Sequence, residues 1–473
     1  MIARHTLTYV GSRAVAAAVN MASLAVFTRL APRETYGTYL LILSWALVLY
    51  GATCQWPKFA FFALYEEARA PAQIGTVARL LLATVTLAAL GAAAATALDL
   101  VSARIAAGVV ASVLGMVLFE GTIEIARTRL AAESVAVSVV ARGVLVLGLG
   151  SGVLALTGDP LDLVLAVAAA NALAALPAAV SVGPLILRGH GSRREARRLL
   201  AYGWPLVLSF GIAALAQTID RLIIDRTLGA GELGAYGAVS DFLRQSFVVF
   251  GESIALSMVS IAKRDARHGG MAAAAPVLRD AARALTLVAA FGTVFILTFD
   301  DLLIAALFGP SYRAAALALA PVVVAASICT MFRAYYFGQI IYFTQSSALD
   351  AVASGVLLVA VAGLSLALIP AYGVTGAAVA VAVGQALACL VFVLGVKGRI
   401  RMPVPLLDIA LITACALATA AAVSGVDLLT AGRSPLGIAL KLALLAAGAG
   451  AAAWRFNIIG LAETLARRTR RAA

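Results

Sequence analysis

The chain has 473 residues, 63% apolar and 12% charged, with a net charge of +13 and a mean hydropathy of +1.00. A soluble domain runs nearer half apolar and a quarter charged, so no water-facing fold hides this much apolar surface and the bilayer is the solvent. No ten-residue alternating pattern of a transmembrane barrel occurs, so the backbone must close its hydrogen bonds within helices, and the fold class is an all-α polytopic membrane protein.

Apolar stretches of about twenty residues each suffice to cross roughly 30 Å of hydrocarbon at 1.5 Å per residue, and they divide the chain into about fourteen spans. The first, 8–28, lacks a clear small-residue cleavage site before the next span and is read as a helix rather than a removable signal. Spans follow at 37–57, 76–97, 105–125, 135–156, 161–186, 203–222 and 233–262, the eighth with an extramembrane end. The rest are placed at 284–308, 315–342, 348–370, 374–396, 404–424 and 435–453, with a basic tail at 454–473. Cys54, Cys329, Cys389 and Cys415 all fall inside apolar stretches without CxxC spacing, so neither a disulfide framework nor a metal site is expected.

With the N terminus in the cytoplasm, about 26 of the 36 Lys and Arg fall on the cytoplasmic side and about 7 outside, which places both ends inside and supports an even span count. The arginines recur in short juxtamembrane segments beside anionic lipid, so topology explains the positive charge and no nucleic-acid partner is expected. The longest connections, near 187–202 and 262–285, leave no room for a soluble catalytic domain. With no such domain, neither an enzyme nor a cofactor is expected, and without a GxxxxGK[ST] loop the chain is not expected to be the motor subunit of a pump.

Span 1 leads into RLAPRETYGTYLLILSW (29–45) and span 7 into DRTLGAGELGAYGAVSDF (225–242). Leu30 and Glu34 face Leu228 and Glu232, and one gap then aligns Gly37 and Tyr39 with Gly234 and Tyr236. This repeat suggests two parallel six-helix lobes, 1–186 and 203–397, joined by the basic linker 187–202, with two further helices in 398–453.

The chain resembles the polysaccharide-lipid flippase family of oligosaccharide repeat-unit transporters, within the superfamily that includes multidrug and toxin extrusion transporters. TRLAPRETYGTY (28–39), YGWPLVLS (202–209), IDRLIIDRTLGAGELGAYG (219–237) and IPAYGVTGAAVA (369–380) carry the likeness through their order and spacing. The resemblance implies an inner-membrane transporter that moves an isoprenoid-diphosphate-linked oligosaccharide by alternating access, in O-antigen, capsule or exopolysaccharide synthesis. Membrane lipids and a polysaccharide polymerase with other assembly proteins would be its partners. An exporter of small organic cations is the rival within the same fold, and a membrane glycan polymerase or ligase is disfavoured because no large extracytoplasmic loop exists.

A charged diphosphate needs a wet cationic cavity, for which arginine's planar fork is suited. In span 8, Asp241, Arg244, Gln245 and Glu252 lie within about 60° of one direction at 100° per residue. Either they face a cavity or Asp241 and Arg244 pair along the helix. Arg333, in span 10, shares a face with Tyr336 and is the preferred single arginine. Arg13 and Asn20 share a face of span 1, and Lys58 ends span 2, so these cations either meet the diphosphate or anchor the helices. Glu120, Glu124 and Arg127 share one side of span 4, as a coupling site or a terminal ion pair, and Asp220 and Arg221 form either a gate or a structural pair.

Overall fold

The structure is a computed structural model that describes residues 2–344, 348–395, 401–429 and 434–458. The side chain of Arg13, residues 396–400 and the basic tail after Ile458 lie outside the described residues. Seventeen α-helices are described and no strand. They are α1 (Ile2–Leu30), α2 (Arg33–Thr53), α3 (Gln55–Leu64), α4 (Ala70–Ala97), α5 (Ala103–Thr128) and α6 (Ala132–Leu156). Next come α7 (Pro160–Ala174), α8 (Leu176–Arg188), α9 (Arg193–Ala216), α10 (Ile219–Leu228), α11 (Ala230–Thr298) and α12 (Asp300–Leu307). The series ends with α13 (Arg313–Tyr335), α14 (Ile341–Thr344), α15 (Ala348–Leu394), α16 (Leu406–Leu429) and α17 (Pro435–Arg455).

The all-α polytopic class is as expected, but the count of fourteen is not reached. Among the described residues ten helical stretches are long and apolar enough to cross a bilayer, or eleven if α7 and α8, bent by 59° at their break, form one span. Length is one reason for the difference. The 69 residues of α11 pass through non-helical dihedrals at Gly269 and Gly270, and the 47 of α15 through one at Gly373, so each is two helices joined at a kink. Gly270 and Gly373 have φ of 67° and 58°, a region open to glycine at little steric cost. In α1 the stretch Val15–Leu30 is apolar, and most side chains before it lie outside the described residues.

The residues group into two compact units. Unit 1 comprises Met1–Phe242, Ala305–Ala316 and Ser354–Ala380; unit 2 comprises Leu243–Ile304, Leu317–Ala353 and Val381–Ala473.

In unit 1, local chemistry sets the helix ends. The Asp159 carboxylate accepts from the Leu161 and Asp162 N–H groups, with Pro160 in the first turn of α7. Ser192 accepts from Glu195 N at the start of α9, supplying a partner for one of the orphan amides there. Small residues let helices approach: a Cβ on Gly115 of α5 would fall 2.8 Å from the Ala168 carbonyl oxygen of α7, closer than any real contact.

The tightest packing in unit 1 gathers the end of α1, the starts of α2 and α11, and residues 305–312. A Cβ on Gly37 would lie 1.7 Å from Ala230 O and 2.9 Å from Gly234 N; one on Gly234 would lie 2.1 Å from Arg33 O and 2.9 Å from Gly37 N. Beside this contact, Gly309 N donates to the Thr28 hydroxyl at 3.2 Å, Tyr312 donates to Ala31 O at 3.1 Å, and Arg29 reaches Ala306 O at 2.5 Å. Arg33 donates to the Ser311 carbonyl.

In unit 2, α16 and α17 pack against the second half of α11 through Phe291, Val294, Phe299, Ala416, Val423, Leu445 and Ala452. Lys441 pairs with Asp427 across α16 and α17. Arg283 is held between Asp280 and Asp408, each at 2.7 Å, which ties α11 to the start of α16.

Candidate functional site

Charge at membrane depth is costly unless it is compensated, so each charged side chain among the helices must have found a partner or water. Unit 1 solves this in an unequal way around α3, α5 and α6. Lys58 Nζ lies 3.4 Å from Glu120 Oε2, and Arg142 Nη1 lies 3.8 Å from Glu120 Oε1. One carboxylate thus serves two cations, and the cluster carries a surplus positive charge.

Aromatic rings hold the cluster in place. The Lys58 ammonium stands 4.9 Å from the centre of the Tyr50 ring, and the Arg142 guanidinium 4.9 Å from that of Phe119. Tyr50 is buried, and its hydroxyl has no hydrogen-bond partner among the described residues. Lys58 is also buried, whereas the Glu120 and Arg142 side chains are each 41% exposed. A shielded ammonium, an accessible guanidinium and a spare phenolic donor suit an anion with several oxygens.

Arg142 is the residue that sequence reasoning missed, because it was counted with the topological arginines. It stands eleventh of the 25 residues of α6, which is membrane depth, and that position was the available signal. Glu124, one turn beyond Glu120, goes to a different partner: Arg127 donates to its two oxygens at 2.9 and 2.7 Å.

Asp220, Arg221 and Asp241 come together elsewhere in unit 1. Arg221 donates to the Asp241 carboxylate, and Tyr236 donates to Asp220 at 2.6 Å. Asp220, Arg221 and Tyr236 are buried. Asp241 thus reaches across to Arg221 of α10.

In unit 2, Arg333 Nε donates to Gln385 Oε1 of α15 at 2.6 Å. Gln385 is buried and Arg333 half-buried. Tyr336 does not share this environment: it is 2% exposed and donates to the Pro403 carbonyl, because α13 ends at Tyr335 and the helical face no longer continues. Arg244, Gln245 and Glu252 are half-buried on α11, and Asn20 is exposed on α1. Among the described residues no group of three His, Cys, Asp or Glu side chains stands close enough to hold a metal ion.

Outside the spans, a second polar cluster binds the start of α9 to the segment before α4. Arg198 donates to Glu66 at 2.7 Å, Arg69 lies 3.6 Å from the buried Glu195, and Gln73 bonds Glu66 N and Leu64 O, each at 2.9 Å. The Arg198 hydrogen bond holds the Glu66 carboxyl below its ordinary value.

Three comparisons with known proteins bear on the fold. The family described as "Polysaccharide biosynthesis protein" matches residues 125–317. No curated protein matches the chain. Among solved structures, the lipid II flippase MurJ in an inward closed conformation superposes with a TM-score of 0.71 at 12% identity, covering 96% of this chain and 99% of that one. A multidrug resistance MATE family transporter of the MOP superfamily matches in its inward-facing form with a TM-score of 0.53 at 14% identity over 79% of this chain and 92% of that one. An outward-facing structure of such a transporter gives 0.52 at 14% identity, over 82% and 93%. In line with the resemblance read from the sequence, residues 125–317 match the polysaccharide biosynthesis protein family, and the chain has the fold seen in MurJ and in the MATE transporters.

Proposed function

We propose that the chain is a flippase that moves an isoprenoid-diphosphate-linked oligosaccharide from the cytoplasmic to the outer leaflet during polysaccharide synthesis. The observation that carries this reading is the Lys58, Glu120 and Arg142 cluster, where a surplus cation at membrane depth stands beside the unpartnered Tyr50 hydroxyl. An organic-cation exporter would need a surplus of carboxylate there instead. Arg333, with Gln385 behind it, is the second anion-binding position, and Arg244, Gln245, Arg13 and Asn20 are further candidates to line the path.

In this reading the protein lies in the cell inner membrane with both termini in the cytoplasm, and the product is O-antigen, capsule or exopolysaccharide. The lobes 1–186 and 203–397 exchange access without catalysing a reaction, and a polymerase receives the lipid-linked unit outside. The contact of Gly37 with Gly234 closes the outer end. Asp220, Arg221 and Asp241 brace it, while Glu120, Glu124 and Glu252 are the carboxylates available for coupling.

The test is leaflet exchange of a fluorescent isoprenoid-diphosphate oligosaccharide in liposomes, with insertion matched between variants. Exchange that requires the protein and falls at least tenfold in Arg142→Ala and Arg333→Ala supports the flippase. Protein-dependent uptake of an organic cation without lipid exchange would assign the chain to the exporters.

A further inference from the structure

The ion pairs of Glu120 are long for charges within the spans; pairs of similar length, Arg69 and Arg198 at 3.6 and 3.9 Å from Glu195, belong to the cluster outside them. Charge-assisted N–H···O bonds settle near 2.7 to 2.9 Å, as Arg127 does on Glu124 and Arg283 on Asp408. Lys58 and Arg142 stop at 3.4 and 3.8 Å from Glu120, one on each carboxylate oxygen. The carboxylate is stretched between two cations that it does not fully satisfy, and the neighbouring Tyr50 hydroxyl has no partner among the described residues. An anion wider than a carboxylate, with oxygens on two centres, fits those three donors better.

Two cations left with no anion at this depth would carry a large desolvation penalty. A diphosphate held by both without a competitor would dissociate slowly. Glu120 addresses both conditions, provided it can swing away, and its side chain is 41% exposed.

We propose that Glu120 is a displaceable counter-ion. It occupies Lys58 and Arg142 when the site is empty, yields them to the diphosphate of the lipid-linked substrate, and takes them back as the substrate leaves. The inference rests on the reading of Lys58 and Arg142 as the headgroup site, and it assigns to Glu120 the tuning of affinity against release.

The experiment measures binding of geranylgeranyl diphosphate to the full-length protein in nanodiscs, together with the liposome exchange assay. Glu120→Gln keeps the shape and removes the competing charge. It should bind the probe about five- to tenfold more tightly, the worth of two weak ion pairs, while the exchange rate at saturating substrate falls. Glu120→Asp, which draws the carboxylate back from both cations, should tighten binding by less. Asp99→Asn, the same charge change on an exposed turn, should leave affinity within twofold.

If the parent protein binds the probe, and Lys58→Ala or Arg142→Ala weakens it, yet neither Glu120 variant binds more tightly, the counter-ion is refuted and the headgroup site stands. If the parent does not bind the probe, or the cation variants leave binding unchanged, the headgroup site fails and the counter-ion with it. A Glu120→Gln protein that does not fold leaves the decision to Glu120→Asp.

Discussion

Gly37→Ala should force the α2 and α11 ends apart. In the structure the new methyl would sit 1.7 Å from Ala230 O and 2.9 Å from Gly234 N, against ordinary contacts of roughly 3.4 to 4 Å. The obstructing atoms are backbone, so no rotamer change relieves them and the helices must separate by about 1.5 to 2 Å. Overpacking of this kind costs about 1–3 kcal/mol, and a state with these ends apart escapes the cost. The population of that state should therefore rise by about 5- to 150-fold, at 1.4 kcal/mol per factor of ten.

The reporter is Thr28→Cys in a background with the four native cysteines replaced, since Thr28 is 2% exposed beside Gly309. A membrane-impermeant maleimide added from outside should label it faster by that factor when Gly37→Ala is present. Gly91→Ala, where an added Cβ meets nothing within 4 Å, is the control. Equal labelling of Gly37→Ala and Gly91→Ala, with both proteins folded and inserted, would refute the reasoning.

Other outcomes follow from the charges. Arg221→Ala should lower stability by about 3–5 kcal/mol, because Arg221 is buried and its loss strips compensation from the half-buried Asp241 beside the buried Asp220; thermal unfolding in detergent reads this. Arg333→Lys should retain only part of the exchange activity, since a point charge replaces the planar fork whose Nε binds Gln385; exchange rates in matched liposomes decide it. The Glu66 carboxyl lies below 4.5 in the folded protein because of Arg198, so its contribution is full above that value and is lost as pH falls through the lowered one. Protease nicking near 189–198 should accordingly rise only in acid, and Arg198→Gln should show the same nicking at neutral pH.

Much of the fold was legible because composition and span length are one-dimensional signals. The helical class and the positions of the apolar stretches required no knowledge of partners. The site was less legible, since a helical wheel orders residues along one helix but does not say where that helix ends or what it faces. Tyr336 illustrates the first limit: its expected face with Arg333 assumed a helix that stops at Tyr335. Arg142 illustrates the second, because only packing against α5 distinguishes a guanidinium that meets Glu120 from one that anchors a helix. Glu120 and Lys58 were each singled out, but 62 residues separate them in the chain and nothing in the sequence paired them.

The repeat read from the sequence makes a demand on the geometry. An alignment that places Gly37 opposite Gly234 makes a specific demand if the halves are related by a two-fold operation: a residue near the axis must touch its own counterpart, and the contacts must be reciprocal. Both conditions hold. Each glycine would put a Cβ 2.9 Å from the other's amide nitrogen, and each would strike the carbonyl four residues before its partner, Ala230 in one direction and Arg33 in the other. Those carbonyls belong to the first residues of α11 and α2, so the two helices correspond without a gap from their first residue onward. If such a two-fold relates the halves, the single gap falls in the turn before Arg33, and Gly231 takes the place of Glu232 as the counterpart of Glu34. A substitution at Gly37 or Gly234 consequently acts on the same interface, and the two alanine variants should open it alike.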